Sequence, residues 1–75
     1  MEKKLKNILV DLLKIDSSTN SAQIEKKNID NWDSVSQLKI ILTIEKEFNV
    51  KIENNIAFTL LSYDLLKNYI LNKSK

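Results

Sequence analysis

Asn31-Trp32-Asp33-Ser34-Val35-Ser36-Gln37-Leu38 opens a segment that runs on to Phe48, and its reading decides the fold. The first residues are loop-forming, Asp33 and Ser34 are both helix-capping types, and the remainder repeats apolar side chains at helical spacing. A helix over residues 34–48 is predicted, with Val35, Leu38, Ile41, Leu42, Ile44 and Phe48 as its buried stripe. Ser36, Gln37, Lys39, Thr43, Lys46 and Glu47 fall mainly outside that stripe. Ile40 does not fit it, and Ile40 and Leu42 stay open between core, shelter for an attached group and docking surface. Asn49 suits a left-handed C-cap. Phe48, Val50 and Ile52 alternate with polar residues like a strand, but with no second strand to pair with they are expected to form an extended linker.

Before this segment, Leu5, Ile8, Leu9, Leu12, Leu13 and Ile15 recur at helical spacing, predicting an amphipathic first helix from Glu2 to about Ile15. The cluster from Asp16 to Ser21 competes for backbone hydrogen bonds and should end it. A long connection to Asp33 follows, with Ile24, Ile29 and Trp32 as apolar anchors and Asn20 or Ser21 able to cap a short turn through Glu25. Trp32 reads as a loop anchor on the core. After the central helix, Asn54 and Asn55 can start a short helix over Ile56 to Leu60 or Leu61. Ser62 can cap a last helix from Tyr63 to Asn72, with Leu65, Leu66, Tyr69 and Ile70 inward. Tyr63 and Tyr69 read as packing residues with wet hydroxyls, and the tail from Asn72 to Lys75 should fray. The predicted fold class is all-α: a small bundle of three main helices plus one short helix, with a long loop between helices one and two, as one domain over 1–75.

Composition narrows the chemistry. The 75 residues include no cysteine, histidine or glycine, which excludes disulfide scaffolds, zinc fingers, histidine triads and glycine-built phosphate loops. The net charge of +2 comes from lysine alone, with six Lys against six acids in 1–33 and six against four in 34–75. Without arginine's bidentate fork or a basic block, nucleic-acid binding is unmotivated. No apolar run approaches membrane-spanning length, and Met1-Glu2-Lys3-Lys4 leads into a charged amphipathic pattern, not a signal peptide. A monomeric cytoplasmic protein without membrane insertion is expected. Lys3, Lys4 and Lys6 read as a solvated helix face.

At the corner itself, Asp33 or Ser34 can accept hydrogen bonds from the first helical turn, and Ser34 with Gln37 has capping-box spacing. A serine there also holds its hydroxyl outward, where something can be attached. The surroundings add a likeness. Trp32-Asp33-Ser34-Val35, Leu38, Ile41, Ile44-Glu45-Lys46-Glu47-Phe48 and Val50-Lys51-Ile52 resemble the acyl and peptidyl carrier protein family, as do Ser62-Tyr63 and Tyr69-Ile70 at the ends of the last helix. The resemblance covers nearly the whole chain, strongest from Ile29 to Ile52 and weakest from Ser17 to Lys27.

What the resemblance implies is a carrier without catalysis of its own. Ser34 would bear a covalent 4′-phosphopantetheine from coenzyme A, and Asp33 would help a magnesium-dependent phosphopantetheinyl transferase place metal and cofactor. An acyl or aminoacyl cargo would ride on the arm as a thioester. Partners would be the transferase, an acyl- or aminoacyl-activating ligase and downstream acyl-processing enzymes. Val35 stands where the family more often has leucine, and Asn28 to Asn31 replace its usual glycine. Many carriers present an acidic second helix, whereas here Lys39 and Lys46 balance Glu45 and Glu47, which points to a specialised pathway and away from housekeeping fatty-acid synthesis. An alternative is a small helical protein-interaction or nucleic-acid-binding module in which Ser34 is only an N-cap. A small enzyme using Ser34 with a lysine base ranks last.

Overall fold

Leu5, Leu9 and Leu13 stand four residues apart, so a helix aligns them on one side, and all three are buried. In the computed structural model, which describes residues 2–73, they form the inner face of α1 (Glu2–Leu13). The helix stops short of the expected Ile15 because Lys14 turns into the left-handed region at φ 57°. Ile15 N–H then reaches back to Val10 O (3.3 Å), a Schellman-type end made without glycine. Left-handed backbone costs a residue with a Cβ about 1–2 kcal/mol. Lys14→Gly is therefore expected to gain ~0.5–1 kcal/mol after glycine's extra freedom in the unfolded chain is subtracted. Urea unfolding measures this, and an unchanged midpoint would mean that the turn holds no strain.

The second helix, α2 (Ser34–Phe48), ends in the same way at Asn49, whose φ of 52° confirms the expected left-handed cap. Asn49 N–H and Val50 N–H both donate to Glu45 O. The Glu45 carboxylate also accepts from Ile52 N–H (2.8 Å), which holds residues 50–53 extended and tucks Ile52 into the core.

The face that α2 buries differs from the predicted one. Gln37, Ile40, Ile41 and Ile44 point inward, and Phe48 is half-buried. Val35, Leu38 and Leu42 remain 62%, 48% and 55% exposed. The physical reason is Gln37, which was expected outside and is 1% exposed. Its amide finds three partners inside the fold, so a polar side chain sits at the centre of the buried arc and Ile40 flanks it. Ile40 is thus core, and Leu42 is surface.

A single turn, α3 (Asn54–Ala57), starts where Asn54 predicts but ends before Leu60, and Thr59 N–H closes onto Ile56 O (2.9 Å). The last helix, α4 (Tyr63–Lys73), has the predicted serine cap, with Leu65 N–H donating to Ser62 Oγ (3.1 Å). Leu66 and Ile70 are buried, whereas Leu65, expected inside, is exposed. Asn72 and Lys73 are helical, not frayed; Ser74 and Lys75 lie outside the described residues. The Tyr63 hydroxyl is not wet: it donates to Glu2 O (3.3 Å), and the ring is buried. Loss of solvation, and then the charge of Glu2, push its pKa up, with a Ser21 hydrogen bond opposing.

The long connection between α1 and α2 is tied down by more than apolar anchors. Ile24 and Trp32 are buried and Ile29 is half-buried, as expected. Asn20 caps a 3-10 turn over Ser21–Gln23 through Ala22 N–H (2.9 Å), and a second such turn follows at Lys26–Asn28. Between them one antiparallel bridge forms: Tyr63 N–H donates to Ile24 O (2.8 Å) and Lys26 N–H to Leu61 O (2.9 Å). The loop is thereby stitched to the corner before α4. Among the described residues, three main helices, one short helix and a long first loop make the all-α bundle predicted from periodicity and capping.

Candidate functional site

The corner at residues 31–34 is built from both sides. Asn31 Nδ2 donates to Leu13 O (3.0 Å), which fastens the loop to the end of α1 and satisfies a carbonyl left open there. Trp32 drops into the core at 2% exposure. Asp33 is the N-cap, extended at φ −107°, and its Oδ1 accepts from Ser36 N–H (2.9 Å). The Ser36 hydroxyl donates to Asn31 O (2.7 Å), so Ser36 braces the corner from within the first turn.

Ser34 consequently has nothing to cap. It is the first residue of α2, it is exposed, and its hydroxyl has no hydrogen-bond partner among the described residues. The predicted capping box with Gln37 does not form, because Gln37 turns inward. A reading in which Ser34 serves only as the N-cap loses its basis, since Asp33 holds that place. The exposed hydroxyl at a helix amino terminus suits a phosphodiester, whose negative charge the end of a fifteen-residue helix favours.

The hydrogen bond from the Ser36 backbone N–H lowers the Asp33 pKa, against a partial penalty from desolvation. Asp16 is lowered in the same way by the Ser18 backbone and hydroxyl, each bonded to Oδ1 (2.9 and 2.8 Å). Both carboxyls have folded-state values below their unfolded ones. Their contribution to stability is thus present above the unfolded value of about 3.9 and is lost as the pH falls through the lowered ones. Urea midpoints should decline below about pH 4, with a shallower decline in Asp33→Asn, which still caps but does not titrate. An identical decline in that variant would show that Asp33 contributes no linkage.

Gln37 is the residue that sequence reasoning missed. Trp32 Nε1–H donates to Gln37 Oε1 (2.6 Å), and Gln37 Nε2 donates to Ala57 O (2.6 Å) and Leu60 O (3.1 Å). One amide joins the loop before Ser34, the first turn of α2, and the end of α3 with the residues after it. Its burial without partners would cost about 1–3 kcal/mol per group, so the three bonds make the site conditional on this packing. Elsewhere an open pocket of about 440 Å³ lies along the loop bridge, lined by Glu25, Lys26, Lys27, Leu61, Ser62 and Leu65. Neither Ser34 nor Asp33 contributes to it, and the corner's chemistry does not depend on it.

The exposed face of α2 adjoins the corner. Val35, Leu38, Lys39, Leu42 and Lys46 share one side of the helix by their spacing. The two acids of α2 are engaged: Glu45 on Ile52 N–H, and Glu47 with Lys4 of α1 (3.3 Å), whose ammonium also lies over the Phe48 ring (5.5 Å). Lys39 and Lys46 have no ion-pair partner among the described residues. No helix among those residues is long and apolar enough to cross a membrane.

No protein-family model matches the chain. Among curated proteins it is similar to an acyl carrier protein of Cylindrotheca sp. (strain N1), with 35% identity over 75 residues covering 97% of this chain and 91% of that one. A likeness at this level along nearly the full length, joined to the helix order and the Asp-Ser corner, decides the assignment: the chain belongs to the acyl carrier protein family.

Proposed function

We propose that this protein carries an acyl or aminoacyl group as a thioester on a 4′-phosphopantetheine arm attached to Ser34, and presents it to partner enzymes without catalysing a reaction itself. The observation that supports this reading is the exposed, unbonded Ser34 hydroxyl beside a neighbour that already caps the helix. Ser34 Oγ forms the new bond to phosphorus as the pyrophosphate bond of coenzyme A breaks. An adenosine bisphosphate leaves, and the hydroxyl proton passes to a base on the transferase. Asp33, which caps the same turn, would in this reading help the transferase hold its metal there. The arm supplies the thiol that a chain without cysteine lacks.

Partners follow from the surface next to Ser34. A phosphopantetheinyl transferase, an activating ligase and the enzymes that process the cargo each meet Val35, Leu38 and Leu42, a stripe that gives apolar contact area. With Glu45 and Glu47 engaged internally, the charges left to a partner on this face are those of Lys39 and Lys46. Enzymes that recognise a strongly acidic helix would find no complement here, which favours a dedicated carrier for a specialised cytoplasmic pathway over a housekeeping fatty-acid carrier. The whole chain acts as one carrier domain in this reading.

Intact-mass measurement after incubation with coenzyme A and a broad-specificity phosphopantetheinyl transferase tests the proposal. One arm should be added, and fragmentation of the tryptic peptide between Lys27 and Lys39 should place it on Ser34. An unmodified protein, under conditions in which a known carrier is loaded, would overturn the reading. So would modification at Ser36.

A further inference from the structure

Val35, Lys39, Leu42 and Lys46 follow one another at intervals of four, three and four residues, so they form a single line along α2. All four are exposed, and the exposed Leu38 widens the line beside Val35 and Leu42. Apolar and basic side chains therefore alternate on the side opposite the buried arc of Gln37, Ile40, Ile41 and Ile44. With a rise of about 1.5 Å per residue, the two lysines stand about 10 Å apart, roughly 8 and 18 Å along the axis from Ser34. The acids of the helix are held to its flanks. Glu47 pairs with Lys4 of α1 (3.3 Å), whose ammonium also donates to Glu47 O (3.2 Å), and Glu45 is held by Ile52 N–H (2.8 Å). Lys39 and Lys46 have no such partner among the described residues, and the exposed Asp30 and Asp33 place negative charge only before the helix.

We infer that the partners of this carrier dock on the line with an apolar face that bears carboxylates about 10 Å apart, one for Lys39 and one for Lys46. That these partners are enzymes acting on a tethered cargo rests on the reading of Ser34 as the attachment point. Complementary charge speeds encounter and fixes orientation, while a partner with a basic face meets two unneutralised ammoniums and is rejected. Because the surface is anionic at Asp33 and cationic beyond it, an acidic partner seats in one direction along α2. An anionic bilayer is a poorer match, since membrane surfaces recruit clusters of about four to eight cations and this line offers two.

The test titrates the isotope-labelled, unmodified chain with two designed helical peptides that share a leucine face, one flanked by glutamates and the other by lysines. Amide shifts in NMR spectra give the site and the affinity. The glutamate peptide should shift residues 34–46 and bind about tenfold or more tighter than the lysine peptide, weakening severalfold between ~0.02 and ~0.3 M salt. Lys39→Glu with Lys46→Glu should reverse the preference, and Lys39→Gln with Lys46→Gln should abolish it, with circular dichroism confirming both folds. Lys26→Gln with Lys27→Gln removes the same charge away from α2 and should keep the preference within about twofold. Equal affinity for the two peptides, shifts centred elsewhere, or binding of neither at millimolar concentration would sink the inference. Loss of preference in the Lys26 and Lys27 variant would do so too, by making net charge the cause. Tighter binding to phosphatidylserine vesicles, dependent on Lys39 and Lys46, would overturn it in favour of a membrane. The titration needs no arm, so a protein that passes it yet cannot be loaded at Ser34 loses the carrier reading and keeps its acid-seeking face.

Discussion

Ser34→Ala is expected to lose all modification by coenzyme A and a transferase while unfolding within about 0.5 kcal/mol of the parent protein. The two outcomes separate because the hydroxyl is outside every internal contact of the corner. Alanine is a good helix former at the first helical position, and the cap belongs to Asp33, whose Oδ1 takes Ser36 N–H at 2.9 Å. Asp33 should behave in the opposite proportion. Asp33→Ala removes the cap, at about 0.5–2 kcal/mol, and also the carboxylate offered to the transferase. Asp33→Asn keeps a side chain that caps nearly as well and loses the charge alone. Loading that slows in Asp33→Asn without loss of stability assigns the carboxylate a part in the transfer; loading at the parental rate makes it a cap only. Retained modification in Ser34→Ala would sink the site assignment altogether, and denaturation curves beside the mass spectra keep misfolding from imitating a lost attachment point.

How much of this was legible in the sequence divides along a physical line. The helices themselves are signalled locally: leucines every fourth residue in α1, Ser62 before α4, Asn49 after α2. Local signals also placed Trp32 in the core and Ser34 at an exposed corner. Which of Asp33 and Ser34 caps is not legible, because both side chains can accept the same first-turn amide and only the backbone angles decide. The facing of α2 was misread for a longer-range reason. Hydropathy counts Gln37 as outward, and that moves the stripe onto Val35, Leu38 and Leu42. In the fold, Gln37 is satisfied by the carbonyls of Ala57 and Leu60, residues twenty or more positions away, which no local pattern reports. The same holds for Leu65, whose apolar character says inward while the packing of Leu66 and Ile70 leaves it outside.

Trp32→Ala is expected to be the most damaging single change, leaving much of the protein unfolded at room temperature. Removing a buried tryptophan costs about 3–5 kcal/mol through lost burial and the cavity left behind. At roughly 0.05–0.15 kcal/mol per residue, a chain of 75 residues holds about 4–11 kcal/mol in total. The cost grows by what Gln37 loses, since its Oε1 is then buried without a donor. Circular dichroism in urea is the measurement, because the substitution also removes the chain's one tryptophan fluorophore. Trp32→Phe separates the two contributions: it keeps most of the ring's apolar volume and removes the indole N–H, so it should cost about 1–3 kcal/mol. Combined with Gln37→Leu, Trp32→Phe should cost less than the two singles added, by about 0.5 kcal/mol or more, because the second change removes an acceptor that the first had already stranded. Strict additivity would mean that the 2.6 Å contact contributes nothing to stability, and the joint between the corner and α3 would then rest on packing alone. Loading should follow the same order. The Asn31–Ser34 corner is held from below by Trp32, so a variant that releases this anchor should lose loading by the transferase even in the fraction that stays helical, whereas Ser34→Ala loses it with the anchor in place.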